Sequence, residues 1–381
     1  MIPLLEIEEK LKQVRAFMKQ SGIDAWLIYD FRGCDPTGKT LLGTLAPHSR
    51  QYAVIIANDN PIIIIKPRIE SHRLVGLSPN LLVINCRTQI EFQQAVEQHA
   101  SSYSRIAANF STNPQTDTLP AGRLALLRSS LPNAEWVSGE NLMQIIHSVL
   151  TKSQLTSQER AARMCTRIME EAFAFIAEQI GNIRECDVAK YILGRFQEEK
   201  LETVNTPIVA VQSNSANPHY TPSEAKIRKN QLVLIDLWAK WEVFADITWM
   251  GYTGRNIPTE IKDAWDAVLL ARKTATKAIK PNIPSRLPDE KAREILTSAG
   301  YEDAIMHRTG HSIDTELHGK GANLDSYEMP ETRLLLPNSV VSVEPGVYLP
   351  QRFGIRSEID VAITQNSRKI TTPPQETILC L

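Results

Sequence analysis

Apolar residues first recur at helical spacing. Leu4, Ile7, Leu11, Val14, Phe17 and Met18 fall on one face of a helix over residues 4–18, and Gly22 stands where such a helix would stop. The period then changes. Short apolar runs at Ala25–Tyr29, Tyr52–Ala57, Ile62–Lys66, Leu81–Cys86 and Arg105–Phe110 predict strands, and stretches near 90–100 and 119–130 predict helices between them. This alternation predicts an α/β domain. It carries no glycine-rich nucleotide loop. A boundary is expected near residues 150–156, where Thr156 and Glu159 have the spacing of a capping box that opens a helix to about Ile180, with Gly181 as its stop. The expected organisation is an N-terminal α/β domain over 1–152 and a second, α+β domain over 153–381, without internal repeats.

Polar residues set inside apolar strands carry the chemistry, and they occur in the second half. The run Leu232–Ile235 leads into Asp236, and a second strand carries Asp246. Side chains alternate along a strand, so Phe244, Asp246, Thr248 and Met250 share a face. Farther on, Glu344 closes the apolar run Val340–Val343 just before Pro345-Gly346. In the following segment a period of two puts Arg356, Glu358, Asp360 and Ala362 on one face. Between these segments three of the eight histidines, His307, His311 and His318, fall within twelve residues. His307 and His311 are four apart, but no Glu follows His307 and Gly310 disfavours a regular helix, so this is not a zincin helix. Taken singly, each residue has a plainer reading: a strand end, a solvated edge, a structural histidine. Taken together, four carboxylates within apolar strands would be costly if buried without partners. Two divalent cations remove that cost, and oxygen-rich ligation with little nitrogen and no sulfur favours Mn²⁺, with Co²⁺ or Zn²⁺ also fitting. Such a pair can hold a bridging hydroxide at neutral pH and polarise a carbonyl.

Composition narrows the classes. Lys and Arg total 42 and Asp and Glu 43, a formal net charge of -1, so no basic excess argues for a nucleic-acid partner. The apolar runs are far shorter than the roughly 20 residues a bilayer requires. The acidic start of the chain does not read as a secretory signal. The five cysteines are odd in number, widely spaced and without Cys-x-x-Cys, so neither a disulfide framework nor a thiolate zinc site is expected, and a cytoplasmic setting fits best.

The order Asp236, Asp246, His311, Glu344, Glu358 resembles the metal-ligand order of the prolidase and aminopeptidase P metallopeptidases, family M24. Asn217-Pro-His219-Tyr220, Thr309-Gly-His311, His318, Glu344-Pro-Gly346 and Arg356-x-Glu358 also look like motifs of that family, as does the fourteen-residue interval between Glu344 and Glu358. The resemblance implies a creatinase-like N-terminal domain followed by a pita-bread catalytic domain. It implies that Asp236 holds one metal, that Asp246 and Glu358 bridge both, and that His311 and Glu344 complete the other. Glu344 would also shuttle a proton, His318 would stabilise the oxyanion, His219 would contact substrate, His307 would be a further pocket residue, and Arg356 would orient carboxylates. The implied activity is removal of an N-terminal residue preceding proline, from a peptide with proline in second position, by a homodimer. A dipeptidase of the prolidase type, a non-peptide C–N hydrolase or lyase, and an inert binding module are the competing readings. Three departures bear on pocket shape. Asp236 and Asp246 are ten residues apart, one fewer than is usual in the family; Leu-Trp follows Asp236; and Ser-Ile-Asp follows His311. A one-residue slip would turn one Asp to the wrong face.

Overall fold

The computed structural model describes residues 4–42, 49–70 and 81–381. The chain divides into two compact units, Met1–His147 and Ser148–Leu381.

The first unit runs α1 (Leu4–Gln20), β1 (Ala25–Phe31), α2 (Pro36–Leu42), β2 (Gln51–Ala57), β3 (Ile62–Pro67), β4 (Leu81–Cys86), α3 (Gln89–Ala100), β5 (Arg105–Ala108), α4 (Ala121–Ser130), β6 (Glu135–Ser138) and α5 (Glu140–Ser148). The six strands form one sheet in the order β4-β3-β2-β1-β5-β6. Every strand expected from the apolar runs is present, although β5 stops at Ala108, two residues early, because the Phe110 N–H turns back onto the Ala108 carbonyl. In α1, Ile7, Leu11, Val14 and Met18 are buried at the predicted spacing.

The second unit starts with α6 (Lys152–Glu178) and α7 (Glu185–Glu198). They are followed by β7 (Ile208–Val211), β8 (Leu232–Lys240), β9 (Phe244–Tyr252), α8 (Thr259–Ala278), α9 (Arg286–Ser298), β10 (Ser312–Ile313) and β11 (Val340–Val343). The chain closes with β12 (Gly346–Leu349), β13 (Phe353–Arg356), β14 (Ile359–Ile363), β15 (Arg368–Ile370) and β16 (Leu379–Cys380). The predicted cap of α6 is misplaced. Thr151, in an extended conformation, accepts the Gln154 N–H at 3.2 Å, and Gln154 Oε1 accepts the Thr151 N–H at 3.1 Å. Thr156 lies inside the helix, where its hydroxyl donates back to the Lys152 carbonyl. Glu159 reaches sideways to Lys369. A Thr-x-x-Gln box two residues into the boundary therefore outcompetes the Thr-x-x-Glu one.

Strands β8 and β9 are apolar on both faces because both faces are covered. Odd-numbered residues, including Val233, Ile235, Ala245 and Ile247, pack on α6 and α7 residues such as Met169, Phe173 and Ile192. Even-numbered residues, including Leu232, Leu234, Phe244 and Met250, pack into a second core with α8, β11 and β14. Asp236, Asp246 and Thr248 are the buried polar positions on this even face. Strands β10-β11-β14-β15 form one sheet and β12-β13 a separate hairpin. The continuous strand expected across Arg356–Ala362 is thus broken. Ser357 and Glu358 lie between β13 and β14 because their N–H groups go to the Pro345 and Thr248 carbonyls instead of to a ladder. Among the described residues no helix is long and apolar enough to cross a membrane.

Candidate metal centre

The short interval between the two aspartates is accommodated without a bulge. In the β8–β9 hairpin Asp236 pairs with Thr248 and Trp238 with Asp246, down to Lys240 opposite Phe244. Three residues connect the strands. An even interval in this register keeps Asp236 and Asp246 on the same face, two positions apart along the ladder.

From the other side the β11 end, the β13–β14 junction and the segment before β10 supply the remaining groups. Asp246, His311 and Glu358 each place one ligand-type atom within 4.8 Å of the others, and all three are buried. His311 Nε2 lies 3.5 Å from Asp246 Oδ2 and 3.5 Å from Glu344 Oε1. Its Nδ1 is 3.1 Å from the Ser312 carbonyl, which can only accept. The proton therefore sits on Nδ1, and the Nε2 lone pair faces the carboxylates. Burial, with the nearby His318, drives His311 down to about 3, so the ring is neutral. Its position depends on close packing: a Cβ on Gly310 would stand 2.0 Å from the Ser342 carbonyl oxygen, while the His311 N–H donates to Ser342 Oγ at 2.9 Å.

Arg356 Nη2 holds Asp236 Oδ2, Nε donates to Thr248 Oγ1 at 3.0 Å, and Nη1 reaches the Pro218 carbonyl. Thr248 in turn donates to Glu358 Oε2 at 2.6 Å. Burial, then repulsion from Glu358 and Asp236, pushes Asp246 well above the usual carboxylate range. Burial, then Glu344 and Asp236, does the same to Glu358. Burial also lifts Asp236, in spite of Arg356. For Glu344 burial is outweighed by His311, His307, Arg356 and Arg308, which hold the carboxyl below its ordinary value.

Of the four carboxylates, Asp236 alone pairs directly with the Arg356 guanidinium, Glu358 reaches it through Thr248, and Asp246 and Glu344 face the neutral His311 ring. Asp236 Oδ1 and Asp246 Oδ1 are buried without a hydrogen-bond partner among the described residues. This cluster is short of positive charge and has acceptor atoms to spare, and both features fit divalent cations.

The centre opens into a cavity of about 760 Å³ whose lining includes Asp236, Asp246, His311, Glu344, Arg356 and Glu358. His219, His307 and His318 line it as well. The His318 ring meets the His311 ring edge-on at 4.3 Å between centroids, and burial together with Arg308 lowers its pKa. His307 is different from the other two. Its Nδ1 is 2.7 Å from the Arg308 carbonyl and its Nε2 2.7 Å from the Tyr348 hydroxyl. Both nitrogens are committed, so His307 positions Tyr348, which also receives Arg356 Nη1 at 3.4 Å.

Some supporting groups escape sequence reasoning. Thr248 joins Glu358 to Arg356, and its place opposite Asp236 was the available signal. Ser342 serves both His311 and Glu344. Asp360 accepts the Asp246 N–H and the Gln158 amide, 2.9 Å away, on one oxygen. Glu185, far from the centre in sequence, gathers Val211, Asn214, Tyr220 and Ser223 and so fixes the loop that carries His219.

Known proteins resemble this chain along nearly its whole length. Residues 157–365 match the model of metallopeptidase family M24, and residues 10–147 that of the creatinase/prolidase N-terminal domain. An Xaa-Pro dipeptidase from Pyrococcus horikoshii is 26% identical over 374 residues, spanning 98% of this chain and 99% of the relative. An uncharacterized peptidase from Staphylococcus epidermidis is 22% identical over 371 residues, 95% of this chain and 98% of its own length. Among solved structures, a dipeptidase from Mycobacterium ulcerans superposes with a TM-score of 0.81 at 21% identity, covering 100% of this chain and 99% of that one. The prolidase from Pyrococcus horikoshii superposes at 0.70 and 24% identity, covering 97% and 100%. These structural likenesses establish the mixed α/β fold. With its creatinase/prolidase N-terminal domain in front of a peptidase domain, the chain belongs to metallopeptidase family M24.

Proposed function

We propose that this metallo-hydrolase cleaves the peptide bond between an N-terminal residue and a following proline. We also propose that Asp236, Asp246, His311, Glu344 and Glu358 hold two divalent ions, Mn²⁺ foremost. The observation that carries this reading is the convergence of four carboxylates and one neutral imidazole on a single cavity with unpartnered acceptor oxygens. Ions bound there would neutralise the carboxylates, polarise the scissile carbonyl and activate water at neutral pH.

The chain's own residues supply the rest. Glu344 has one oxygen, Oε1, receiving the Ser342 hydroxyl at 3.1 Å. Its other oxygen is available to take a proton from the attacking water and pass it to the departing nitrogen. His318, on the exposed side of the cavity, is placed to donate to the oxygen that becomes negative as the carbonyl is attacked. His219 lies on the loop that Glu185 fixes and contacts substrate. Arg356 keeps Asp236 oriented. A proline nitrogen carries no N–H and fixes φ, so recognition by shape is expected to replace recognition by a donor. The proposal extends to a homodimer and to a reducing cytoplasm, which suits five unpaired cysteines.

A hydrolysis screen tests the reading. Metal-loaded protein should cleave Xaa-Pro peptides and leave matched Xaa-Ala peptides nearly untouched. A chelator should abolish turnover until Mn²⁺ is restored. Undiminished turnover in chelator, or equal cleavage of the Xaa-Ala series, would contradict it.

A further inference from the structure

A second cavity, of about 810 Å³, lies in the first unit, and its described lining comes entirely from that unit. Strands β1, β3 and β4 run in the same direction, and their last residues, Phe31, Pro67 and Cys86, border it. Gln51 at the start of β2 and Gln89 at the start of α3 border it as well. Open α/β sheets bind ligands in the crevice outside the carboxyl ends of their strands. Both the place and the volume therefore suit a small molecule.

Charge narrows the class of ligand. The described lining includes Arg50, Arg68, Arg87 and Arg123 and no carboxylate. The acids next to it are already engaged. Glu91 pairs with Arg87 at 2.9 Å. Glu70 accepts the Ser49 hydroxyl at 2.8 Å and the main-chain N–H groups of Ser49 and Arg50. The Arg50 guanidinium donates to the adjacent Ser49 Oγ at 2.9 Å. Arg123 stands over the Tyr29 ring, 5.5 Å from its centroid. Arg68 makes no hydrogen bond or ion pair with any described residue. Three guanidiniums thus share one cavity without a carboxylate partner among the described residues. The N-terminus of α3 adds its partial positive charge from the same side. A phosphoryl group brings close to two negative charges and three acceptor oxygens, and guanidinium forks match it in two-point contact.

The same cavity offers an aromatic surface. Phe92 lines it from within the core, and Phe31 lines it with 39% of its surface exposed. Arg32 lies over the Phe31 ring at 5.2 Å from the centroid. We propose that this cavity binds a small organic phosphate, with Arg50, Arg68 and Arg123 on the phosphoryl groups and an aromatic ring of the ligand against Phe31. The first unit has no glycine-rich phosphate loop, so side-chain guanidiniums carry the recognition that backbone N–H groups supply in such loops.

Calorimetry on the full-length protein, as purified and without added metal, tests this with ADP, phenyl phosphate, adenosine and pyrophosphate. ADP and phenyl phosphate should bind saturably. ADP should bind about 10- to 100-fold tighter than adenosine, which lacks the charge, and about 10-fold tighter than pyrophosphate, which lacks the ring. Arg68→Gln and Arg123→Gln should each weaken ADP about 10- to 100-fold. Arg163→Gln, an exposed change on α6 in the second unit, removes the same charge and should leave ADP affinity unchanged. Arg123 packs on Tyr29, so thermal unfolding without ligand checks that variant, whereas the exposed Arg68 side chain has no described contact to lose. Any anion held at the metal centre binds wild type and variants alike and cancels in the ratio. Failure of both phosphates to bind, or equal ADP affinity in wild type and Arg68→Gln, overturns the proposal. Pyrophosphate binding as tightly as ADP overturns the ring contact with Phe31.

Discussion

Replacing Thr248 with valine removes one hydroxyl and little else. Thr248 is fully buried in β9, opposite Asp236. Valine keeps the β-branched shape, so no cavity opens. The change leaves Glu358 Oε2 without its donor at 2.6 Å and Arg356 Nε without its acceptor at 3.0 Å. Hydrogen bonds to charged groups contribute about 1.5–3 kcal/mol each. Both belong to one network and their losses do not add fully, so about 3 kcal/mol of stability should be lost from the metal-free protein. In the metal-loaded protein the carboxylate of Glu358 loses its orientation, and ion affinity should fall by about 10- to 100-fold. Urea unfolding of the metal-free variants reads the first effect and calorimetric Mn²⁺ titration reads the second. Thr248→Ser keeps the hydroxyl and is the control. A Thr248→Val protein with wild-type unfolding midpoint and ion affinity would refute the reasoning. A serine variant as impaired as the valine variant would also refute it, since methyl packing would then be the cause.

Other perturbations act on the frame of the site. Glu331 and Arg333 form a buried, doubly hydrogen-bonded pair, and Arg333 also holds the Lys320 and Gly321 carbonyls next to His318. Glu331→Ala should cost roughly 3–5 kcal/mol in urea unfolding and lower turnover through a loosened His318 segment. Burial raises the Glu331 carboxyl, but Arg333 outweighs it and holds the pKa below its ordinary 4.5. Its contribution is therefore complete above that value and is lost as pH falls through the lower folded value, so the wild type should lose more stability than Glu331→Ala in acid melts below about pH 4.5. Glu185→Gln puts an NH₂ where an acceptor oxygen serves the loop carrying His219, and KM for Xaa-Pro substrates should rise more than kcat falls. Gly310→Ala forces a Cβ against the Ser342 carbonyl, which should cost about 1–3 kcal/mol and weaken Mn²⁺ binding by shifting His311.

The architecture was legible wherever an apolar pattern had a single solution. The strands of the first unit follow their hydrophobic runs, and α1 follows its period. The candidate ligands were legible because carboxylates interrupting apolar strands are rare and these four, with His311, occur in a recognisable order. The ten-residue aspartate interval looked like a defect from sequence because the register was unknown. A three-residue connection resolves it by parity. Other features depended on distant partners. Thr248 reads as an ordinary strand residue until Glu358 and Arg356 arrive from more than a hundred residues away. Glu185 reads as a first-turn helix acid until the 211–223 loop folds over it. The break between β13 and β14 was invisible because period-two alternation continues through it while the hydrogen bonds change partners. The cap of α6 was missed for a local reason, since two similar boxes overlap and only packing selects between them.

The most direct test is anomalous scattering from crystals of the protein grown with Mn²⁺. The account predicts two peaks per chain, one beside Asp236 and Asp246 and one beside His311 and Glu344, with Glu358 and Asp246 between them. No peak within reach of these five side chains, or a single peak bound elsewhere on the chain, would contradict it.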